Sequence, residues 1–133
     1  MFPRSPFEIT AVPALQDNYI WVIHNGRDAA VVDPGEAEPV LAFLDAHRLQ
    51  LDAILCTHRH PDHTGGIAKL REVYNVPVYG RRHPGNPNIT HDLREGSKLK
   101  LDAPDFNLGI AFDIIEIPGH VDDHLAYVAA NIS

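Results

Sequence analysis

A chain of 133 residues with 44% hydrophobic and 22% charged side chains is ordinary for one globular domain and long enough to bury a core. Its formal charge of −7 argues against a nucleic-acid or anionic-membrane surface, since those need concentrated lysine and arginine. No apolar run approaches a membrane span, residues 1–7 lack the apolar stretch of a secretory signal, and one cysteine allows no internal disulfide, so a cytoplasmic location is expected.

In chain order, residues 7–12 and 19–24 read as strands, the second carrying the dense run Tyr19-Ile20-Trp21-Val22-Ile23. Asn25-Gly26 marks a tight turn into a third strand, 29–33, which Pro34-Gly35 ends. Pro39 suits the first turn of a helix running to about Arg48, with Val40, Phe43, Leu44 and His47 on one face and Glu36 and Glu38 near its start. His47 is therefore expected to be structural or solvent-facing. Residues 51–56 form the apolar run of a buried strand, in which Cys56 reads as a buried, reduced thiol that serves packing.

The next seven residues, Thr57-His58-Arg59-His60-Pro61-Asp62-His63, place four strong metal donors within six positions. His58 and His60 are two apart, so on an extended exit from the strand their side chains leave on the same side and can converge on one ion. Asp62 and His63 point elsewhere unless the backbone turns, and Pro61 supplies a reason for it to turn. Two metal positions are expected. Gly65-Gly66 then leads into a helical stripe of Ile67, Leu70, Val73 and Tyr74, so the donors sit on a loop between the carboxyl end of a strand and a helix, where open α/β sheets place their ligands. Imidazole with carboxylate suits zinc, iron or manganese, and the lack of cysteine donors argues for an open site that admits water.

Residues 76–79 read as a short strand whose Pro77 puts it at an edge or a strand start. A loop from 80 to about 96 follows, with Arg81, Arg82, His83 and His91, which reads as a solvated cluster outside the site. Alternation of Ile110, Phe112 and Ile114 marks another strand, broken by Pro118-Gly119-His120. His120 thus stands, like His58, at a strand end and would complete three imidazoles on the first metal. His124 is either a ligand or an orienting group behind one, the latter being favoured. A last strand is expected over 125–130.

Thr57-His58-x-His60-x-Asp62-His63-x-Gly65-Gly66, followed by Pro118-Gly119-His120 and His124, resembles the metallo-β-lactamase superfamily. Within it, Leu15-Gln16-Asp17-Asn18-Tyr19-Ile20-Trp21, Val32-Asp33-Pro34-Gly35 and Pro77-Val78-Tyr79-Gly80 resemble the glyoxalase II branch, the hydroxyacylglutathione hydrolases. The resemblance implies an α/β (α+β) fold, the αββα sandwich of that superfamily, truncated to its first half plus the start of the second sheet. It implies that His58, His60 and His120 hold the first metal and that Asp62 and His63 contribute to the second, with one or two Zn2+ ions, or iron or manganese, as cofactor. It also implies hydrolysis of a glutathione thioester, S-D-lactoylglutathione to D-lactate and glutathione, the closing step of methylglyoxal detoxification, by water activated at the metal. Arg59, Val121 and Asp123 depart from the common pattern at positions that carry none of these ligands.

Members of the branch continue past the Gly-His segment through further ligands and a helical region that grips glutathione, whereas this chain stops at Ser133. Residues 1–133 are thus expected to be the amino-terminal part of the metal-binding domain, with a weak second metal position and an uncovered sheet prone to self-association. Two other readings stay open. One is another enzyme of the superfamily, a persulfide dioxygenase or a generic metal hydrolase; the other is a metal-binding remnant without turnover.

Overall fold

The computed structural model describes residues 8–15, 18–101, 110–117 and 124–129. Strands β1 (Glu8–Ala14), β2 (Asn18–His24) and β3 (Asp28–Val32) run antiparallel as neighbours. Asn25 builds the turn between the last two. Its Oδ1 accepts the Arg27 and Asp28 amides at 2.9 and 2.7 Å, and Gly26 takes the left-handed φ of 87° that a side chain would resist.

Helix α1 (Glu38–Ala46) follows with Pro39 in its first turn and Val40 and Leu44 buried. It ends two residues before Arg48, whose φ of 54° breaks the helical path. Strand β4 (Gln50–Leu55) then lies parallel to β3, as a helical crossover requires. Helices α2 (Pro61–Thr64) and α3 (Ile67–Val73) lead to β5 (Val78–Gly80) and the two-residue β6 (His91–Asp92), also parallel, which complete a six-stranded sheet in the order β1-β2-β3-β4-β5-β6.

A second, antiparallel sheet of β7 (Lys98–Leu101), β8 (Ile110–Glu116) and β9 (Leu125–Ala129) completes the described elements. The central strands β3 and β4 of the first sheet are buried on both faces, and alternation along the strands divides the core. Val22, Val31 and Ile54 face α1 and α3, meeting Leu44, Ile67 and Leu70. Ile23, Ala30 and Leu55 face the second sheet, meeting Leu99, Phe112 and Ile114. The layers are therefore helices, sheet and sheet, which agrees with the sandwich expected from the sequence.

Two bonds tie the second sheet to the first near the end of β4. Tyr127 donates its hydroxyl to the Cys56 carbonyl at 2.7 Å, and the Leu125 amide donates to the Thr57 carbonyl at 2.8 Å. Burial pushes the Tyr127 phenol well above its usual range, so it remains a donor throughout ordinary pH.

Several boundaries differ from expectation. The strand expected at 76–79 begins at Val78, and it has neighbours on both sides, so Pro77 marks a strand start. Its carbonyl accepts the Ile54 amide at 3.0 Å, a role that needs no proline N–H. The segment read as loop from 80 to 96 contains β6, because β5 offers an open edge that the Tyr79 to His91 pairing covers. Strand β7 carried no stated expectation. Its alternating Lys98-Leu99-Lys100-Leu101 buries only two apolar residues, a short signal. Of the expected last strand, residue 130 lies outside the described residues.

Candidate metal centre

Parallel pairing of β3 and β4 brings their carboxyl ends to one edge of the sheet, so the residues after Val32 and after Leu55 meet. Asp33, in the left-handed region at φ 54°, turns the chain there; aspartate tolerates this conformation better than most residues. Its amide still donates to the Leu55 carbonyl at 2.9 Å. Its carboxylate accepts the Thr57 amide at 2.7 Å through Oδ1, and the Thr57 hydroxyl at 2.6 Å and His63 Nδ1 at 3.1 Å through Oδ2. Asp33 is 7% exposed, so these bonds operate largely out of water.

That network assigns the ring protons. The Thr57 hydroxyl has one hydrogen and gives it to Asp33, so toward His58 Nδ1, 2.9 Å away, it acts as acceptor. His58 therefore carries its proton on Nδ1 and presents Nε2 as the lone-pair nitrogen. His63 donates Nδ1–H to a carboxylate and likewise presents Nε2. Burial, then the neighbouring His63, push the His58 pKa down, which keeps the ring neutral as ligation requires. The hydrogen bond to Asp33 pushes His63 up.

The turn anticipated at Pro61 is the short helix α2, capped by His60, whose carbonyl accepts the His63 amide at 2.8 Å. It folds His63 back over His58, with ring centroids 4.2 Å apart, closer than the 4.8 Å between His58 and His60. His63 Nε2 and Asp62 Oδ2 lie 3.4 Å apart. Asn18, on β2, donates Nδ2 to that same oxygen at 3.1 Å and to the Asp62 carbonyl at 3.0 Å. This hydrogen bond is the leading cause that lowers the Asp62 pKa.

Glycines let the supporting backbones touch. A Cβ on Gly35 would lie 2.0 Å from the Asp62 carbonyl oxygen, and one on Gly66 would lie 2.5 Å from the Glu36 carbonyl carbon. The Gly66 amide meanwhile donates to the Pro34 carbonyl at 2.8 Å. The 34–37 turn is thus pressed onto α2 with no room for side chains between them.

Donor atoms of Asp33, His58 and His63 all lie within 4.8 Å of one another. Imidazoles with carboxylates beside them suit a divalent transition metal, so the residues fit the ion that the donor spacing suggests. His60 stands at the edge of this group by its ring distance. His124 is brought in by the tie between Leu125 and Thr57, with its ring 5.1 Å from that of His58. His120 lies outside the described residues. Its flanks, Ile117 and His124, are joined by an N–H to carbonyl bond of 2.9 Å.

The other histidines are elsewhere. His47 stacks on Phe43 at 4.2 Å on α1, and His91 stacks on Tyr79 at 4.8 Å. Arg81 pairs with Glu116 of β8, while the Arg82 backbone amide donates to the Asp92 carboxylate and its guanidinium to the Thr90 carbonyl at 3.3 Å, so both arginine side chains are engaged away from the donor cluster. Asp33 and Asn18 had no role assigned from sequence. The available signal for Asp33 was a carboxylate directly after an apolar strand and before Pro-Gly; for Asn18, whose partner is 44 positions away, there was none.

The metallo-beta-lactamase superfamily profile matches residues 14–129. A hydroxyacylglutathione hydrolase from Nitrosomonas eutropha is 44% identical over 124 residues, which are 93% of this chain and 47% of that protein. One from Alkalilimnicola ehrlichii is 48% identical over 124 residues, 92% of this chain and 47% of that protein. The chain spans about half the length of these curated relatives. Among solved structures, TTHA1623 in a di-iron-bound form superposes with a TM-score of 0.66 at 26% identity, covering 87% of this chain and 64% of that one. With the sandwich, the donor cluster at the strand ends and the profile match over most of its length in agreement, this chain belongs to the metallo-beta-lactamase superfamily.

Proposed function

We propose that residues 1–133 form the amino-terminal part of a hydroxyacylglutathione hydrolase, a metal-dependent hydrolase of glutathione thioesters such as S-D-lactoylglutathione. The observation that carries this reading is the grouping of Asp33, His58 and His63 at the ends of β3 and β4, with Asp62 Oδ2 3.4 Å from His63 Nε2. In this reading His58, His60 and His120 hold the first ion, Asp62 and His63 contribute to the second, and His124 orients the cluster from behind. When bound, a divalent ion supplies Lewis acidity and a nucleophile available near neutral pH. The chain's own part is to keep His58 neutral, to hold the His63 ring through Asp33, and to fix the Asp62 carboxylate through Asn18.

Zinc is the proposed ion; the relative crystallised in a di-iron-bound form supports iron as the competing choice. The proposed setting is the cytoplasm, and among the described residues no helix is long and apolar enough to cross a membrane. Calorimetric titration of the 133-residue chain with Zn2+, paired with a thioester hydrolysis assay on S-D-lactoylglutathione, tests the reading. Micromolar or tighter binding that His58→Ala weakens at least tenfold, with zinc-dependent hydrolysis above the solvent rate, is expected. Binding indifferent to His58→Ala would overturn the metal centre, and zinc binding without hydrolysis would make residues 1–133 a metal-binding part with no turnover of its own.

A further inference from the structure

We propose that Asp28 and Asp52 share one proton between their inner carboxyl oxygens, making the junction of β3 and β4 a joint that holds in acid and loosens when that proton leaves. Asp28 opens β3. Asp52 is the extra residue of a bulge on β4, since the register passes from Ala29 opposite Leu51 to Ala30 opposite Ala53. The bulge sets Asp52 beside Asp28 on the neighbouring strand, and a side-chain hydrogen bond to Asp28 is one of the causes that act on the Asp52 carboxyl group. Asp28 is only 6% exposed, and the Oδ2 atoms of both residues are buried without a partner.

Two carboxylates are acceptors only, so neither can satisfy the other while both are ionised. One proton placed between them satisfies both orphaned oxygens and removes one of two like charges from a buried site. Among the described residues, no cation is among the causes that act on the Asp52 carboxyl group. Lys98 and Lys100 on β7 alternate with the buried Leu99 and Leu101 and are exposed, and Asp113 on β8 pairs with Lys98. Asn25 on the β2–β3 turn uses its carbonyl oxygen for the Asp28 amide, and Arg27 and Arg48 are exposed. His24 turns to the other face of the sheet, against Phe43.

Burial, then the hydrogen bond to Asp28 and its charge, raise the Asp52 pKa to about 7. The unfolded chain loses that proton near 3.8. Between those values the folded state binds one proton more, so stability falls as pH rises through the window and levels off above it.

Urea unfolding of the metal-free 133-residue chain from about pH 5 to about pH 8 compares the wild type with Asp52→Asn, whose amide can donate at every pH. The wild-type folding constant should fall relative to the variant by up to about tenfold per pH unit below pH 7. In case the variant does not fold, carboxyl-carbon NMR of the wild type should show an aspartate titrating near neutrality. Parallel pH profiles, or every aspartate titrating in the ordinary acid range, would overturn the shared proton. So would recovery of wild-type stability at about pH 8 by millimolar Ca2+ or Mg2+ that Asp52→Asn fails to show, since the pair would then be a cation site.

Discussion

The Asp33 carboxylate serves three donors at once: the Thr57 amide, the Thr57 hydroxyl and the His63 ring. Replacing it by asparagine keeps the volume but removes the charge and turns one end of the group into a donor facing other donors. Asp33→Asn is therefore expected to lower the His63 pKa, because the bond that raises it is lost. The zinc affinity of the chain should fall about 10- to 100-fold, the usual effect of losing a carboxylate behind a ligating histidine. Proton NMR of the His63 ring and competition against a coloured chelator read the two effects; an unchanged affinity would mean that Asp33 serves only the loop. Sequence spacing singles out His58, His60, Asp62 and His63 as candidates because they are neighbours in the chain, and the structure groups two of them, His58 and His63, with Asp33. Their orientation comes from Asp33 and Asn18, which are remote in sequence.

At the scale of elements, the second sheet reaches the centre through β9. The Tyr127 hydroxyl lies across the Cys56 and Tyr79 carbonyls at 2.7 and 3.3 Å, which joins β9 to β4 and β5 just below Thr57. Tyr127→Phe keeps the ring, with its edge contact on Phe112 at 5.9 Å, and removes only the hydroxyl. A loss of about 1 kcal/mol is expected in urea denaturation, the net worth of one such bond. His124 should also move relative to His58, seen as a shift in its ring resonances. A stability equal to that of the wild type would show that the hydroxyl adds nothing to the join between the sheets. Strands β3 and β4 could be read in the sequence as apolar runs because both of their faces are buried, and β2 because its run Tyr19-Ile20-Trp21-Val22-Ile23 is apolar even where Tyr19 and Trp21 are exposed. Short strands such as β6 exist only because a neighbour offers an edge.

For the whole molecule, the apolar surface is unevenly covered. Ile9, Tyr19 and Trp21 are 55%, 57% and 47% exposed, and a cleft of about 400 Å3 lined by Ile9, Trp21, Val32, Phe112 and Tyr127 opens beside Thr57. In the described sheet β9 has β8 on one side only. Exposed apolar area next to an open strand edge favours association between copies. Sedimentation velocity over a concentration series should show the 133-residue chain self-associating, and Trp21→Glu should shift it toward monomer without unfolding it. A monomeric wild type at the highest concentration would overturn the self-association expected of the uncovered sheet.

Sequence alone singled out the histidine-rich run 57–63, the principal strands, the helix behind Pro39 and the family, because each is written in contiguous residues through periodicity, turn chemistry and ligand spacing. The tertiary structure decided what those residues face. It placed His63 over His58 through α2, set the ring tautomers through Thr57 and Asp33, seated the Asp62 carbonyl on Gly35, and put Asp28 beside Asp52 across a bulge. The reason is physical. A side chain's partner across parallel strands depends on register and crossover, which bring together residues 24 to 44 positions apart and leave no local pattern in the chain.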